Sequence, residues 1–427
     1  MIGRSNAALA QSPAGEVAMD HLTACRACLA PDPYRFLPLG YHAPAQMLIR
    51  PEDLDREQPS FALNPQVCLE CGLIEIADQI PPDFFRHYLY VPSGAATMHS
   101  HFQELADVLV AEAGRSGLIV DIGCNDGLLL AACNAHGCTT LGIDPAANIA
   151  EIARAKGVAV HVAYFDPDTA GAVLDSYGPA KVIVATNTFN HIGDLHKFMK
   201  GVDALLAPDG AFVVEVPRAK EMIENKEFDN IYHEHVSEFS LLSLVRLGEF
   251  FGLVVSDVHR LSHIHGGSMR VFFKRKSLDV SPAPIVWEML LEEEAAGMLD
   301  RETYDRMADR VSAMGVELRQ MLQDLKAEGK KIAGYGASAR GNTLITHFGI
   351  GRQYLDFLVD KNTLKQGLYS PNTKIPIKPV DAIEEERPDV LLMLAWNFFD
   401  EIREQQSAFA ARGGRFLVPF PEPVLTS

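Results

Sequence analysis

Two Cys-x-x-Cys pairs near the amino terminus constrain this chain more than any other feature of its sequence. Cys25 and Cys28 form one pair, and Cys68 and Cys71 form the other. Each pair fits a tight turn that points two sulfurs at one position, so two turns complete a tetrahedron around zinc. The gap of 40 positions from Cys28 to Cys68 predicts a small domain folded around the metal. Four cysteine ligands close the site, so we expect a structural zinc; redox-active dithiols are the alternative.

Length and composition indicate a soluble protein of two or three domains. The chain has 427 residues, of which 48% are hydrophobic and 22% are charged. Its formal net charge of −18 disfavours nucleic acid and anionic membranes as partners. No apolar run is long enough to cross a bilayer, and no secretory signal is recognisable, which predicts a cytoplasmic protein. We expect a monomer or a weak homodimer.

Strand-like and helical stretches alternate along most of the chain, which favours βαβ units and an α/β fold with two parallel sheets. We predict a flexible tail (1–20), a zinc-binding domain (21–85), a first α/β domain (86–275), and a helical connector with a second, Rossmann-like domain (276–427). The predicted strands are Leu118–Ile122, Thr140–Ile143, Val158–Val162, Lys181–Ala185 and Ala211–Val216, then Lys331–Tyr335, Leu355–Val359, Val390–Ala395 and Arg415–Pro419.

The first predicted strand runs into a glycine-bearing loop typical of a cofactor site. Gly123 and Gly127 let the backbone approach a ligand closely. Asp144 ends the next strand, where a carboxylate can accept hydrogen bonds from a ribose diol. Asp121 within the strand, together with the lack of a G-x-G-x-x-G phosphate cradle, favours S-adenosylmethionine over NAD, because its sulfonium and amino groups attract acids. Further cofactor contacts are expected from Asn125, Phe165 and Asn187.

A second glycine loop in the carboxyl-terminal region competes with this interpretation. Residues 334–339 read Gly-Tyr-Gly-Ala-Ser-Ala, and Asp360 ends the following strand. Taken alone, this fingerprint predicts an NAD-dependent oxidoreductase. The helix amino terminus and Arg340 form an anion site in either case, which a nucleotide-sugar pyrophosphate could use equally well. A non-enzymatic zinc-bearing scaffold is a third hypothesis, and binding of S-adenosylmethionine separates the first hypothesis from the other two.

Four consecutive polar residues, Tyr232-His233-Glu234-His235, form the strongest candidate for catalysis. Methylation of a carbon beside a carbonyl needs a base that generates an enolate, and a donor that stabilises the enolate oxygen. His191 follows a predicted strand and is expected to face the same pocket. A loop held by hydrogen bonds, or a second metal site at His233, Glu234 and His235, are the alternatives. Further polar side chains cluster at residues 263–270.

These motifs together resemble the deoxysugar C-methyltransferases that act on dTDP-linked keto-sugars. The paired Cys-x-x-Cys, Asp-Ile-Gly-Cys-Asn-Asp-Gly, Tyr-His-Glu-His, His-Gly-Gly-Ser-Met-Arg and Gly-Tyr-Gly-Ala-Ser-Ala-Arg-Gly-Asn occur in the family's order from about residue 22 onward. The resemblance implies a zinc-binding domain, a class I methyltransferase domain, and a Rossmann-like carboxyl-terminal domain that helps bind the nucleotide-sugar without NAD.

The same resemblance implies roles for individual residues. His235 would be the base, and Tyr232, Glu234 and His191 would line the sugar site. Other expected substrate contacts are Tyr88, Tyr90, His265, Arg270, Gly336, Ser338, Arg340, Asn342 and Asp360. Residues 91–96 read Val-Pro-Ser-Gly-Ala-Ala, where the family tends to have a serine-rich stretch. This departure leaves the sugar open, and a non-sugar activated ketone is the alternative acceptor.

Overall fold

The computed structural model describes residues 20–80, 93, 96–114, 116–262 and 266–427. The predicted tail, apart from residue 20, lies outside this part of the chain. So do three predicted substrate contacts, Tyr88, Tyr90 and His265. No helix in the described part is long and apolar enough to cross a membrane.

The first described segment forms small antiparallel sheets around the four cysteines. Its strands are β1 (Asp20–His21), β2 (Tyr34–Arg35), β3 (Gly40–His42), β4 (Phe61–Leu63), β5 (Pro65–Val67), β6 (Ile74–Ile76) and β7 (Asp78–Gln79). β1 pairs with β7, β3 pairs with β4, and β5 lies between β2 and β6. Strands of two or three residues form few ladder hydrogen bonds, so this region depends on its packing against the rest of the protein and on a bound metal.

The central region is a seven-stranded sheet flanked by helices. Its elements are α1 (Ala96–Ala113), β8 (Leu118–Ile122), α2 (Leu128–Ala135), β9 (Thr139–Ile143), α3 (Ala147–Ala155), β10 (Val160–His161), α4 (Pro167–Tyr177), β11 (Ala180–Thr186), α5 (Leu195–Leu205), β12 (Leu206–Pro217), α6 (Ala219–Glu224), β13 (Ser237–Glu238), α7 (Leu241–Phe250), β14 (Leu253–Leu261) and β15 (Ser268–Arg275). The strand order is β10-β9-β8-β11-β12-β15-β14. β8 to β12 are mutually parallel, as predicted, whereas β15 runs antiparallel to both its neighbours.

The carboxyl-terminal region repeats the α/β plan behind two helices. Its elements are α8 (Pro284–Ala295), α9 (Arg301–Ala327), β16 (Ile332–Tyr335), α10 (Ala339–His347), β17 (Leu358–Val359), β18 (Ile377–Lys378), α11 (Ala382–Glu386), β19 (Val390–Met393), α12 (Phe399–Gln405), α13 (Ser407–Ala411), β20 (Arg415–Val418) and β21 (Val424–Thr426). The six strands follow the order β18-β17-β16-β19-β20-β21, and only β21 is antiparallel to its neighbour.

The three regions share buried surfaces. β13 lies far along the chain, yet it pairs with β6 and completes a four-stranded sheet of the first region. Phe36 of that region packs on Tyr304 of α9, with ring centroids 5.1 Å apart. One buried cluster joins side chains from all three regions, including Ile74, Phe228 and Leu344. The segment that carries the Tyr-His-Glu-His motif therefore packs against all three described regions.

Candidate active site

The carboxyl ends of the strands in both parallel sheets open into a cavity of about 1480 Å³. Ligands of open α/β sheets bind at this edge, beyond the carboxyl ends of the strands. The wall includes Arg26 of the first region, Gly123 and His191 of the second, and Arg340 of the third. Typical small-molecule sites occupy roughly 300–1,000 Å³. The cavity therefore has room for two ligands beside each other.

The four predicted metal ligands converge beside this cavity. The Sγ atoms of Cys25, Cys28, Cys68 and Cys71 all lie within 4.8 Å of one another. Sulfur–sulfur distances are 3.6 Å for Cys25–Cys71 and 3.4 Å for Cys28–Cys68, close to the roughly 3.8 Å of a zinc tetrahedron with 2.3 Å bonds. Hydrogen bonds among the thiols lower the pKa of Cys28 and Cys68 but raise that of Cys25 and Cys71. Four thiolates this close need a divalent cation, so the site fits zinc.

The predicted cofactor loop joins β8 to α2 in a conformation that requires glycine. Gly123 has φ +75°, and a Cβ there would lie 2.1 Å from Oγ1 of Thr188. The carboxylate of Asp144 accepts the backbone N–H of Asn125 at 3.0 Å and that of Ala146 at 2.8 Å. Asp144 therefore fixes the loop and also lines the cavity.

Other cofactor candidates complete an acidic corner of the cavity. Oδ1 of Asp121 is buried and has no hydrogen-bond partner among the described residues. Burial and the nearby charge of Asp144 raise the pKa of Asp121 to about 8. A cationic ligand would satisfy this carboxylate, so the corner fits the amino and sulfonium groups of S-adenosylmethionine. Phe165 and Asn187 also line the cavity, whereas Gly127, at φ +74°, precedes α2.

His235 is held at both ring nitrogens. Its Nε2 lies 2.7 Å from the hydroxyl of Tyr232, and its Nδ1 lies 3.1 Å from a carboxylate oxygen of Glu238. Burial and the positive charge of Arg340 lower the pKa of His235 to about 3. The imidazole is therefore neutral near pH 7 and has one nitrogen lone pair, as a general base requires.

The remaining predicted catalytic residues also line the cavity. The ring of His191 meets that of His235 edge-on, with centroids 5.0 Å apart, and burial lowers its pKa to about 3. Glu234 is buried on the same wall. His233 also borders the cavity, and its Nε2 lies 3.2 Å from the carbonyl oxygen of Ala62 in the first region. In the described part of the chain, only the four cysteines cluster as metal ligands, so nothing supports a second metal site in the motif.

Arg340 is the second residue of α10 and contacts residues close to the motif. Its guanidinium lies 2.8 Å from Asp229 and 3.0 Å from Glu227, and it lies 4.6 Å above the ring of Trp396. Nη1 of Arg340 is buried and has no hydrogen-bond partner in the part of the chain that the structure describes. Because Arg340 lines the cavity, this NH₂ group is a donor suited to an anionic ligand.

The other substrate candidates of the second sheet have different surroundings. Ser338 lines the cavity. Gly336 has φ +100°, and both oxygens of Asp360 accept backbone N–H groups of nearby loops at 2.8 Å. Asn342 donates to the carbonyl oxygen of Ala45 at 2.9 Å. Ser338 and Arg340 therefore line the cavity, whereas Gly336 and Asp360 shape the loop before them and Asn342 connects α10 to the first region.

Arg270, an expected substrate contact, is not among the residues that line the cavity. It belongs to β15, and its Nε donates to the buried carboxylate of Glu215 at 2.8 Å. Residues 268–273 are buried and pair with strands on both sides. Its guanidinium is used in an internal ion pair and is not among the cavity-lining groups.

Sequence reasoning missed several groups around His235. Glu238 contacts the ring, although Glu234 is the glutamate beside it in the sequence. Asp229 and Trp396 hold Arg340. The only available signal was proximity to the motif, and Glu238 lies three residues after His235. That signal could not separate one glutamate from the other.

The fold and the cofactor corner define an S-adenosylmethionine-dependent class I methyltransferase, and the comparisons with known proteins agree. Family models match a domain described as zinc binding at residues 25–85, a methyltransferase domain at 95–258, and a C-methyltransferase C-terminal domain at 263–421. C-methyltransferase NovU of Streptomyces niveus is 38% identical over 406 residues, covering 94% of this chain and 96% of the relative. The chain belongs to this family of zinc-binding C-methyltransferases, so the predicted fold class, enzyme class and cofactors are confirmed.

The similar solved structures have lower sequence identity to the chain than this relative does, and they cover less of it. One is magnesium protoporphyrin IX methyltransferase of Synechocystis PCC 6803 with bound SAH, 12% identical, covering 42% of this chain and 82% of that one, at a TM-score of 0.33. Another is a possible histamine N-methyltransferase of Thermotoga maritima, 18% identical, covering 42% and 88%, at a TM-score of 0.32. Neither informs the choice of substrate.

Proposed function

We propose that the chain methylates a carbon next to the ketone of a nucleotide-linked deoxy keto-sugar, with dTDP as the expected carrier. The observation that carries this proposal is the neutral His235, which shares one cavity with the cofactor corner and with Arg340. A carbon beside a ketone becomes nucleophilic only when a base removes its proton. A base near the methyl donor and an anion-binding arginine are the groups that this substrate requires.

Different residues of the cavity have different roles in this reaction. S-adenosylmethionine supplies an electrophilic methyl group when it is bound. Asp121 and Asp144 orient its cationic and ribose portions, whereas His235 takes the proton from the substrate carbon. His191 donates to the oxygen on which negative charge develops, and Tyr232 joins it when the substrate displaces its hydroxyl from Nε2 of His235. All five side chains lie on the wall of the cavity.

The carboxyl-terminal region binds the diphosphate of the substrate in this proposal. Arg340 lies on the cavity wall, its Nη1 has no hydrogen-bond partner among the described residues, and Ser338 caps the helix that begins beside it. A helix amino terminus and an arginine favour a diphosphate even though the protein's overall charge is −18. Because the family is one of methyltransferases, this loop is better explained by a nucleotide substrate than by NAD.

Replacement of His235 by Gln tests the assignment of the base. We expect turnover of a dTDP-linked deoxy keto-sugar to fall by about 10²–10⁴-fold, because general base catalysis contributes that much. The wild type should exchange the proton beside the ketone with deuterated solvent, and the variant should not. S-adenosylmethionine affinity and melting temperature should stay close to wild type. His259→Gln, on the exposed side of β14, is the control and should retain both activities.

The outcomes separate the parts of the proposal. Normal exchange and turnover in the His235 variant would move the base elsewhere, with Tyr232 and His191 the next candidates. If the wild type binds S-adenosylmethionine but does not turn over any nucleotide-linked keto-sugar, the acceptor is a different activated ketone.

A further inference from the structure

His235 contacts Glu238 through Nδ1, in addition to its contact with Tyr232 through Nε2. One carboxylate oxygen of Glu238 lies 3.1 Å from Nδ1 of His235, and the other accepts the side-chain N–H of Asn230 at 3.1 Å. Glu238 is only 2% exposed. A buried carboxylate with both oxygens engaged can hold a histidine ring in one orientation.

Glu238 takes its own position from the zinc-binding region. It is the second residue of β13, which pairs with β6 in the register Glu238 to Ile74. The guanidinium of Arg26, which lies between two of the cysteines in sequence, donates to the carbonyl oxygen of Val236 at 3.1 Å. The strand that carries Glu238 is therefore fixed at its start by a residue of the metal-binding turn.

We propose that Glu238 is a positioning residue for His235: it keeps the ring proton on Nδ1, so that the lone pair of Nε2 faces Tyr232 and the cavity. The inference rests on the proposed role of His235 as the base. It follows from the two ring contacts, because a single proton on Nδ1 satisfies both. Nδ1–H then donates to the carboxylate, and Nε2 accepts from the phenol. The opposite tautomer would place a proton on the nitrogen that must act as the base.

The surroundings of the pair act on its protons in opposing directions. Burial raises the pKa of Glu238 well above its ordinary value and Asp229 adds to this, whereas Arg340 and the hydrogen bond from Asn230 favour the carboxylate. Burial and Arg340 disfavour a second proton on His235. The contacts at the two ring nitrogens, rather than charge, therefore place the proton on Nδ1.

Nuclear magnetic resonance of isotope-labelled histidine nitrogens tests this tautomer without any substrate. The His235→Gln spectrum identifies the signals of His235. We expect the wild type to show the Nδ1–H tautomer, and Glu238→Ala to show exchange between both tautomers. An Nε2–H tautomer in the wild type, or unchanged signals in Glu238→Ala, would overturn the proposal. Because this measurement needs no turnover, it remains decisive even if the proposed substrate is wrong.

Kinetics then separate positioning from general destabilisation. We expect Glu238→Ala to lower kcat by about 10²-fold, the cost of misplacing a catalytic group by about 1 Å, with little change in the KM for S-adenosylmethionine. Glu238→Gln keeps the shape and one hydrogen bond, so it should retain more activity than the alanine variant.

Glu293→Gln is the matched control for loss of a buried carboxylate. Glu293 is fully buried and bonds Arg218 and the start of α7, away from the cavity wall. Its replacement should lower the melting temperature but leave the nitrogen signals of His235 and the kcat unchanged. If Glu238→Ala reduces kcat no more than this control does, Glu238 has only a structural role.

Discussion

His233 and His235 are two positions apart and serve different parts of the molecule. A turn closed by the N–H of His235 and the carbonyl of Tyr232 brings the rings of these two residues together. His233 points to the carbonyl of Ala62. The motif therefore contains both the polar cavity cluster and the hydrogen-bonded loop that the sequence left as alternatives. Residue types alone could not predict which histidine contacts Tyr232 and which contacts Ala62, because the backbone turn determines the direction of each ring.

The buried His233 gives a pH-dependent stability that can be isolated by substitution. Burial lowers its pKa to about 4, compared with about 6.5 in the unfolded chain. This contribution to stability is complete above pH 6.5 and is lost as the pH falls toward 4, because the unfolded state binds the proton more tightly. Relative to His233→Gln, which does not titrate, the wild type should lose about 2 kcal/mol between pH 7 and pH 5. Urea unfolding of both proteins at the two pH values measures this difference, and a pH-independent difference would contradict it.

Asp144 and Asp360 provide a matched pair for testing the cofactor site. Each ends the strand next to a glycine loop, and each accepts two backbone N–H groups. Asp144→Ala should weaken S-adenosylmethionine binding about 5- to 100-fold, because ribose hydroxyls lose an acceptor worth about 1–3 kcal/mol. Asp360→Ala should leave that affinity unchanged. Calorimetric titration decides, and equal affinities in the two variants would mean that the cofactor loop was misassigned.

At the scale of elements, most parallel strands were predictable and the antiparallel ones were not. Apolar runs mark β8, β9 and β11 to within about two residues, because strands buried on both faces are continuously hydrophobic. β13 has only two residues, and its partner β6 lies in a different region of the chain. No local pattern specifies such a pairing. It matters for the candidate site, because it places Glu238 beside His235.

Arg26 joins the metal-binding turn to this added strand, so its loss should be costly. Its guanidinium contacts Glu75 at 3.1 Å as well as the carbonyls of Ile76 and Val236. Arg26→Met leaves the buried Glu75 without its cation, and we expect a loss of about 3–5 kcal/mol in the free energy of unfolding. Adding Glu75→Gln should restore part of that loss, because the unpaired charge is then removed. Chemical denaturation of the single and double variants measures the coupling, and additive effects would argue against it.

At the scale of the whole molecule, three regions with separate sequence signatures form one cavity. The sequence predicted the zinc ligands, the cofactor loop and the second glycine loop as independent motifs. It could not predict that Arg340 reaches Asp229, because that contact joins positions 111 residues apart. The cavity wall includes Arg26 from beside the metal site and Arg340 from α10. Loss of any one region should therefore affect the others.

Removal of zinc tests this dependence directly. Purified protein should contain about one zinc per chain, and chelation under mild denaturant should lower the melting temperature by about 10 °C or more, because metal binding supplies folding energy to a region of very short strands. Turnover should be lost with it, since β13 and the motif segment pack on that region. S-adenosylmethionine affinity should fall much less, because the loop after β8 is fixed by Asp144.

Two cysteine variants provide the comparison. Cys25→Ser should reproduce the chelated state, whereas the Cys138→Ser protein, changed outside the cluster, should retain zinc and wild-type stability. A metal-free protein with the wild-type melting temperature would contradict a structural role for the four cysteines.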